Sequence, residues 1–321
     1  MSGIFTVFRK EMEDYFGSTR FLLIFALIVM VGVIIASMVG MSLQEETRGM
    51  TKPTLIFLML FTSTGKLFSF VQFIGFFGPL IGIILGFDAI NRERVSRTLS
   101  KLVSQPIYRD AVINGKFLAG VTTIAMILVA IVLIISGLGI WLVGVVPGAE
   151  EVWRLVIYLV ASLLYISFWL GISILFSVIF RSTATSALAS LAIWIFFSFF
   201  VSLGAGVLAD AIAPINQQDA GADPAMIMRH EEVLRVTSSF SPMTLYSDAT
   251  STILNPMSKT TRGLILMGPM ERLSISRFQN PLSLLQSLYI VAPHLISLIS
   301  ITFLCFAICY AIFMRQEIRS V

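Results

Sequence analysis

The amino-acid sequence predicts an all-α, polytopic membrane protein with six transmembrane helices, and three observations carry that expectation. Apolar residues make up 57% of the chain and charged residues only 12%, against roughly 25% charged in soluble domains. The mean hydropathy is +0.91. Six segments, at about 21–41, 68–87, 117–143, 155–180, 184–209 and 284–314, reach or approach the roughly 20 apolar residues that span a hydrocarbon layer as a helix. The net charge of +4 fits basic loops at a membrane surface, and nothing in it points to nucleic acid.

Taken in order, residues 1–20 set Ile4, Phe5, Val7, Phe8, Met12, Tyr15 and Phe16 against Arg9, Lys10, Glu11, Glu13 and Asp14. That pattern predicts an amphipathic helix lying in the membrane interface, with a turn at Gly17-Ser18 into span one. The first apolar run is longer than the core of a signal peptide and is read as a retained span. Residues 42–67 form an external hairpin, and Gly78-Pro79 predicts a kink in span two. A polar loop at 88–116 joins spans two and three. Pro147-Gly148 marks a short external link, and Arg181-Ser182 a short internal turn.

Between spans five and six, residues 210–280 read as a small helical extracytoplasmic segment. Asp223-Pro224 opens one helix, with Glu231 and Glu232 further along. Ser241-Pro242 starts a second, stopped by Asn255-Pro256, and Asn280-Pro281 leads into the last helix, kinked at Pro293. The chain thus divides into 1–20, a five-span body at 21–209 carrying the loop 88–116, the external segment 210–280, and span six with its tail at 281–321.

Basic residues set the orientation. The termini, the 88–116 loop and the Arg181 turn hold twelve Lys and Arg; among the short loops opposite there are only Arg48, Lys52, Lys66 and Arg154. Short loops decide topology, so both termini and the polar loop are expected in the cytoplasm, with the chain in the cell's inner membrane.

Apart from His294, the spans hold no ionisable residue at membrane depth, which disfavours a pump coupled to protons or cations. His294 reads as a packed residue, and Cys305 and Cys309, one helical turn apart, as buried thiols. No HExxH, GxSxG or GxxxxGK[ST] motif occurs, so neither catalysis nor a cofactor is expected on this chain. Energy for uphill work would come from another subunit.

The loop 88–116 is where a function can be read. It concentrates Arg92, Arg94, Arg97, Lys101, Arg109 and Lys116, and Val95, Leu99, Leu102 and Val103 recur at helical spacing. Ser104-Gln105-Pro106 ends that short amphipathic helix. A helix held beneath a membrane domain suits a soluble motor that grips it. On the residues alone, a loop whose cations touch lipid phosphates serves equally well.

The pattern Asp88, Glu93-Arg94, Thr98-Leu99, Ser104, Pro106, Arg109 and Gly115-Lys116, preceded by FRKEMEDYF, resembles the permease subunits of ABC-2-type exporters. That six-span family includes the nitrous oxide reductase maturation permeases. The resemblance covers nearly the whole chain and departs at Arg97, where the family often has Gly. It implies a permease without a catalytic site, paired with a second permease subunit as a homodimer and resting on a cytosolic ATPase subunit that binds ATP and Mg. It implies ATPase-coupling roles for Glu11, Arg92, Glu93, Arg94, Thr98, Leu99, Leu102, Pro106 and Arg109. Glu93 and Arg94 would be polar contacts, Leu99 and Leu102 apolar anchors.

Cargo is less legible. Met226, Met228, Met243, Met257, Met267 and Met270, with His230, supply thioether and imidazole groups that suit Cu(I). No tight ligand spacing supports a metal there, and ordinary Met packing on short helices is the preferred reading. A non-transporting membrane scaffold or assembly protein, as in copper-enzyme maturation, is the alternative to a permease.

Overall fold

The computed structural model describes residues 2–46, 55–62, 69–95, 108–214, 224–256 and 282–315. Their regular elements are all helices, with no strand among the described residues, and six helical stretches are long and apolar enough to cross a membrane. In chain order the elements are α1 (Ser2–Phe16), α2 (Thr19–Glu46), α3 (Ile56–Thr62), α4 (Phe70–Gly86), α5 (Asn91–Val95), α6 (Arg109–Val143) and α7 (Ala149–Ile179). Then follow α8 (Thr183–Ile195), a π-helical turn (Phe196–Phe200), α9 (Val201–Ile212), α10 (Pro224–Ser238), α11 (Pro242–Leu254) and α12 (Leu284–Arg315).

The centre of the bundle is the pair α4 and α7, the two most buried spans; α2, α8–α9 and α12 keep most of their surface outward. Gly78, Gly82 and Gly86 recur every four residues and place one side-chain-free stripe along α4. A Cβ at Gly82 would lie 2.7 Å from the Ile166 carbonyl oxygen and 2.8 Å from the Leu170 nitrogen. One at Gly86 would lie 2.9 Å from the Leu170 carbonyl oxygen. The helices therefore touch backbone to backbone, the small-residue contact that membrane helices use when burial alone gives no driving force.

Pro79 lies inside α4 and cannot donate to the carbonyl four residues before it. That carbonyl, Gly75 O, accepts instead from the Tyr165 hydroxyl at 2.8 Å. Tyr165→Phe should orphan a buried acceptor and lower stability by about 1–3 kcal/mol. Thermal unfolding in detergent measures this; an unchanged midpoint would show that water or another donor takes over.

The helix α11, read from sequence as part of an external segment, packs among α4, α7 and α12. Its Tyr246 is fully buried, stacks on Tyr165 with ring centroids 4.5 Å apart, and shares a 3.0 Å hydrogen bond with Ser162. Ser241, just before α11, donates to the Phe197 carbonyl in the π-helical turn at 2.9 Å. A π-turn disrupts the regular ladder, so its carbonyl can take this outside partner. At the end of the bundle opposite α1, buried Arg154 donates to the carbonyls of Ile253 (2.8 Å) and Leu282 (2.6 Å), to Ser287 (3.1 Å) and to Glu150, clamping α7, α11 and α12 together. Cys305 and Cys309 are buried free thiols in α12.

Candidate functional site: a buried lysine under the elbow

At the α1 end of the bundle, α6 is 35 residues long, about 52 Å, well beyond a hydrocarbon layer of roughly 30 Å. Its first turns are the platform on which α1 packs. The contacting face of α1 carries Ile4, Val7, Met12 and Tyr15, spaced as one helical stripe, with Glu11 set among them. Gly115 makes the approach possible: a Cβ there would lie 2.9 Å from the Val7 side chain and 3.2 Å from the Ile4 carbonyl. Farther along, the Tyr15 hydroxyl donates to the Leu85 carbonyl of α4 at 3.1 Å. Burial, reinforced by Glu11, Asp88 and Asp14, pushes the Tyr15 phenol well above its ordinary value, so it stays a donor.

After α4 the chain turns through residues 87–90 into the short α5, forming an elbow. The amide N–H groups of Ile90 and Asn91 both donate to the Ser177 hydroxyl, at 3.0 and 3.1 Å. Arg94 reaches the Phe180 and Val178 carbonyls at 3.4 and 3.5 Å, where α7 ends. A cation there also complements the negative end of the α7 dipole. The elbow is thereby seated on α7, while α1 is seated on α6.

Lys116 joins the two. Its ammonium is 2.7 Å from Glu11 Oε1 and 3.0 Å from Glu93 Oε1, and all three side chains are buried, Lys116 to 2% exposure. Lys10 closes the group, 3.3 Å from the same oxygen of Glu11 and 3.0 Å from that of Glu93. Two carboxylates and two ammoniums form a neutral quartet, which is how buried charge is tolerated. Burial alone would lower the Lys10 pKa, but Glu11 and Glu93 outweigh it and raise it above the ordinary value.

Of the residues expected to couple, the structure thus brings Glu11 and Glu93 onto one ammonium and turns both carboxylates inward. Arg94 is occupied on α7. Arg92 is exposed, and Arg109 begins α6 half-buried. Thr98, Leu99, Leu102 and Pro106 lie outside the described residues. Sequence reasoning set Lys116 among six basic residues and, with Asp88, in the family motif, but gave no role to either, nor to Lys10 or Ser177. The signal that could have found the quartet is Glu11, an acid on the apolar stripe of α1, which needs a buried cation somewhere.

The model of the ABC-2 family transporter protein matches residues 5–318, nearly the whole chain. The chain belongs to that family. No curated protein matches it. An ABC-2 chain is a multi-pass membrane permease, and such permeases normally work with a cytosolic ATPase subunit. The elbow and α1 of this ABC-2 permease lie on one end of the bundle, and the elbow carries the Asp88 and Glu93-Arg94 of the motif. On α10, Met226 and Met228 are exposed, and His230 Nδ1 is 2.9 Å from the Ala213 carbonyl. Met257, Met267 and Met270 lie outside the described residues. Among the described residues, no group of three or more His, Cys, Asp and Glu could hold a metal.

Proposed function

We propose that this chain is the transmembrane permease subunit of an ATP-driven exporter, working as a homodimer with a separate cytosolic ATPase that carries ATP and Mg. The observation that carries the reading is the Lys116 quartet, which ties α1 and the elbow into a single lever. A push on either element is transmitted to α6, and through Ser177 and Arg94 to α7. Glu11 and Glu93 act inside the lever, whereas Arg92, Thr98, Leu99, Leu102, Pro106 and Arg109 are the residues through which the ATPase couples. Both termini lie in the cytoplasm under this reading, in keeping with the basic residues that crowd that end.

Purification in mild detergent should bring down an ATPase subunit. In that complex, ATP with vanadate should change the labelling rate of Val95→Cys, a position that is 71% exposed. Adding Glu93→Ala and Arg94→Ala should leave the chain in the membrane but abolish the nucleotide-dependent change. A wild-type complex without an ATPase, or a double variant that still responds to nucleotide, rejects the reading.

A further inference from the structure

Beside the quartet lies a cleft of about 590 Å³, walled by the start of α2, the end of α4, the elbow and the first residue of α8. This is within the range of roughly 300–1,000 Å³ typical of small-ligand sites. A second lobe of about 260 Å³ opens from it toward Lys116, sharing Asp14, Tyr15, Leu85, Asp88 and Arg92. The quartet lining the inner lobe is neutral in itself. Asp14, Asp88 and Arg92 line both lobes, Asp14 lying 3.7 Å from Lys10, and the outer lobe adds Arg20. Arg20 is 3.1 Å from Asp88 and 5.8 Å from the centre of the Phe87 ring, leaving its guanidinium largely open to the cleft. Ile24 and Ile84, each about one turn further into a span, give the cleft an apolar wall on its membrane side.

Two cations and two carboxylates around one cavity, with an apolar wall leading into the bilayer, suit a ligand of matching chemistry. An anionic ligand would be opposed by both aspartates, and a purely apolar one would leave four charges unsolvated. A soluble zwitterion would make no use of the wall formed by Ile24 and Ile84. We propose that the cleft binds the headgroup of a zwitterionic phospholipid bearing a primary ammonium, of the phosphatidylethanolamine type, from the leaflet on the α1 side. The phosphodiester lies between Arg20 and Arg92, which donate in the forked geometry that suits phosphate. The ammonium donates to Asp14 and Asp88, and the acyl chains run out past Ile24 and Ile84. A choline headgroup has no N–H to give these carboxylates, so the site discriminates by hydrogen bonding and not by charge alone.

The test is native mass spectrometry of the full chain, without nucleotide, from micelles holding phosphatidylethanolamine, phosphatidylcholine and phosphatidylglycerol in equal amounts with identical acyl chains. Retention of phosphatidylethanolamine should exceed that of the other two by about tenfold, the value of one charge-assisted hydrogen bond. Asp14→Asn should erase the preference over phosphatidylcholine, and Arg92→Gln should weaken retention of all three. Both positions are exposed enough for the variants to fold, which an unchanged thermal midpoint verifies. Equal retention of the three lipids, or a preference for phosphatidylglycerol, overturns the assignment. So does a phosphatidylethanolamine preference that survives both substitutions, because the lipid then sits elsewhere.

Discussion

Replacing Lys116 by methionine should release α1 from the bundle. The ammonium is within hydrogen-bond distance of both Glu11 and Glu93. Without it, two buried carboxylates face each other with only Lys10, whose side chain is 47% exposed, to balance them. Breaking a buried ion pair from one side costs about 3–5 kcal/mol, because the partner's charge stays buried and uncompensated. The loss falls on α1, which carries Lys10 and Glu11 of the quartet. Val7→Cys, at a position 2% exposed, should then be labelled quickly in Lys116→Met and slowly in its absence. Adding Glu11→Gln and Glu93→Gln should restore much of the protection, since a neutral, well-packed set can replace a buried charged one. Slow labelling in Lys116→Met alone would mean the apolar stripe holds α1 unaided.

The second large effect belongs to Gly82. A methyl group there would meet the Ile166 carbonyl oxygen at 2.7 Å and the Leu170 nitrogen at 2.8 Å, and neither backbone atom can rotate away. Gly82→Ala should cost about 1–3 kcal/mol by overpacking, and Gly82→Leu should prevent the bundle from assembling. Gly137, in α6, is the control, because nothing lies within 4 Å of a Cβ built on it. There an alanine should stabilise the helix by up to about 1 kcal/mol, since glycine is the poorer helix former. Thermal unfolding in detergent gives both midpoints. Equal shifts at Gly82 and Gly137 would show that α4 and α7 separate more easily than the backbone contact implies.

The spans were legible because hydrophobicity is a local property. The last was placed at 284–314 and its helix is Leu284–Arg315; the turn at Gly17-Ser18 falls in the gap between α1 and α2. The helix starts at Pro224 and Pro242 also coincide with their Pro signals, since proline acts on its own turn. Span three was read from 117, yet α6 begins at Arg109, because Arg109, Asp110 and Lys116 look like loop when only hydropathy is weighed. Span four likewise starts earlier, since Glu151 and Arg154 are polar but buried. The Gly78–Gly82–Gly86 stripe was readable in principle but went unused beside the proline.

What could not be read is convergence. Glu11 and Lys116 are 105 residues apart, and Lys10 and Glu93 are 83 apart. No periodicity along the chain reports that they meet. Glu11 and Glu93 were singled out through the motif as coupling residues, and the motif did not report that both carboxylates meet Lys116. The packing of α11 inside the bundle was hidden for a similar reason. Its Ser and Thr residues look solvent-facing until they are seen bonding their own helix, as Thr250 does with the Tyr246 carbonyl at 2.7 Å.

The glycine stripe on α4 also restricts how such a carrier can cycle. Where Gly82 and Gly86 bring the two backbones together, parting the helices would open a void, so α4 and α7 should move as one body. Under the proposed function, a change of access across the membrane should be taken up at the margins of that body, at α2, α8–α9 and α12, whose surfaces are least buried. Substitutions that loosen those margins should alter the speed of the cycle, whereas the α4–α7 seam sets whether there is a folded carrier to turn over.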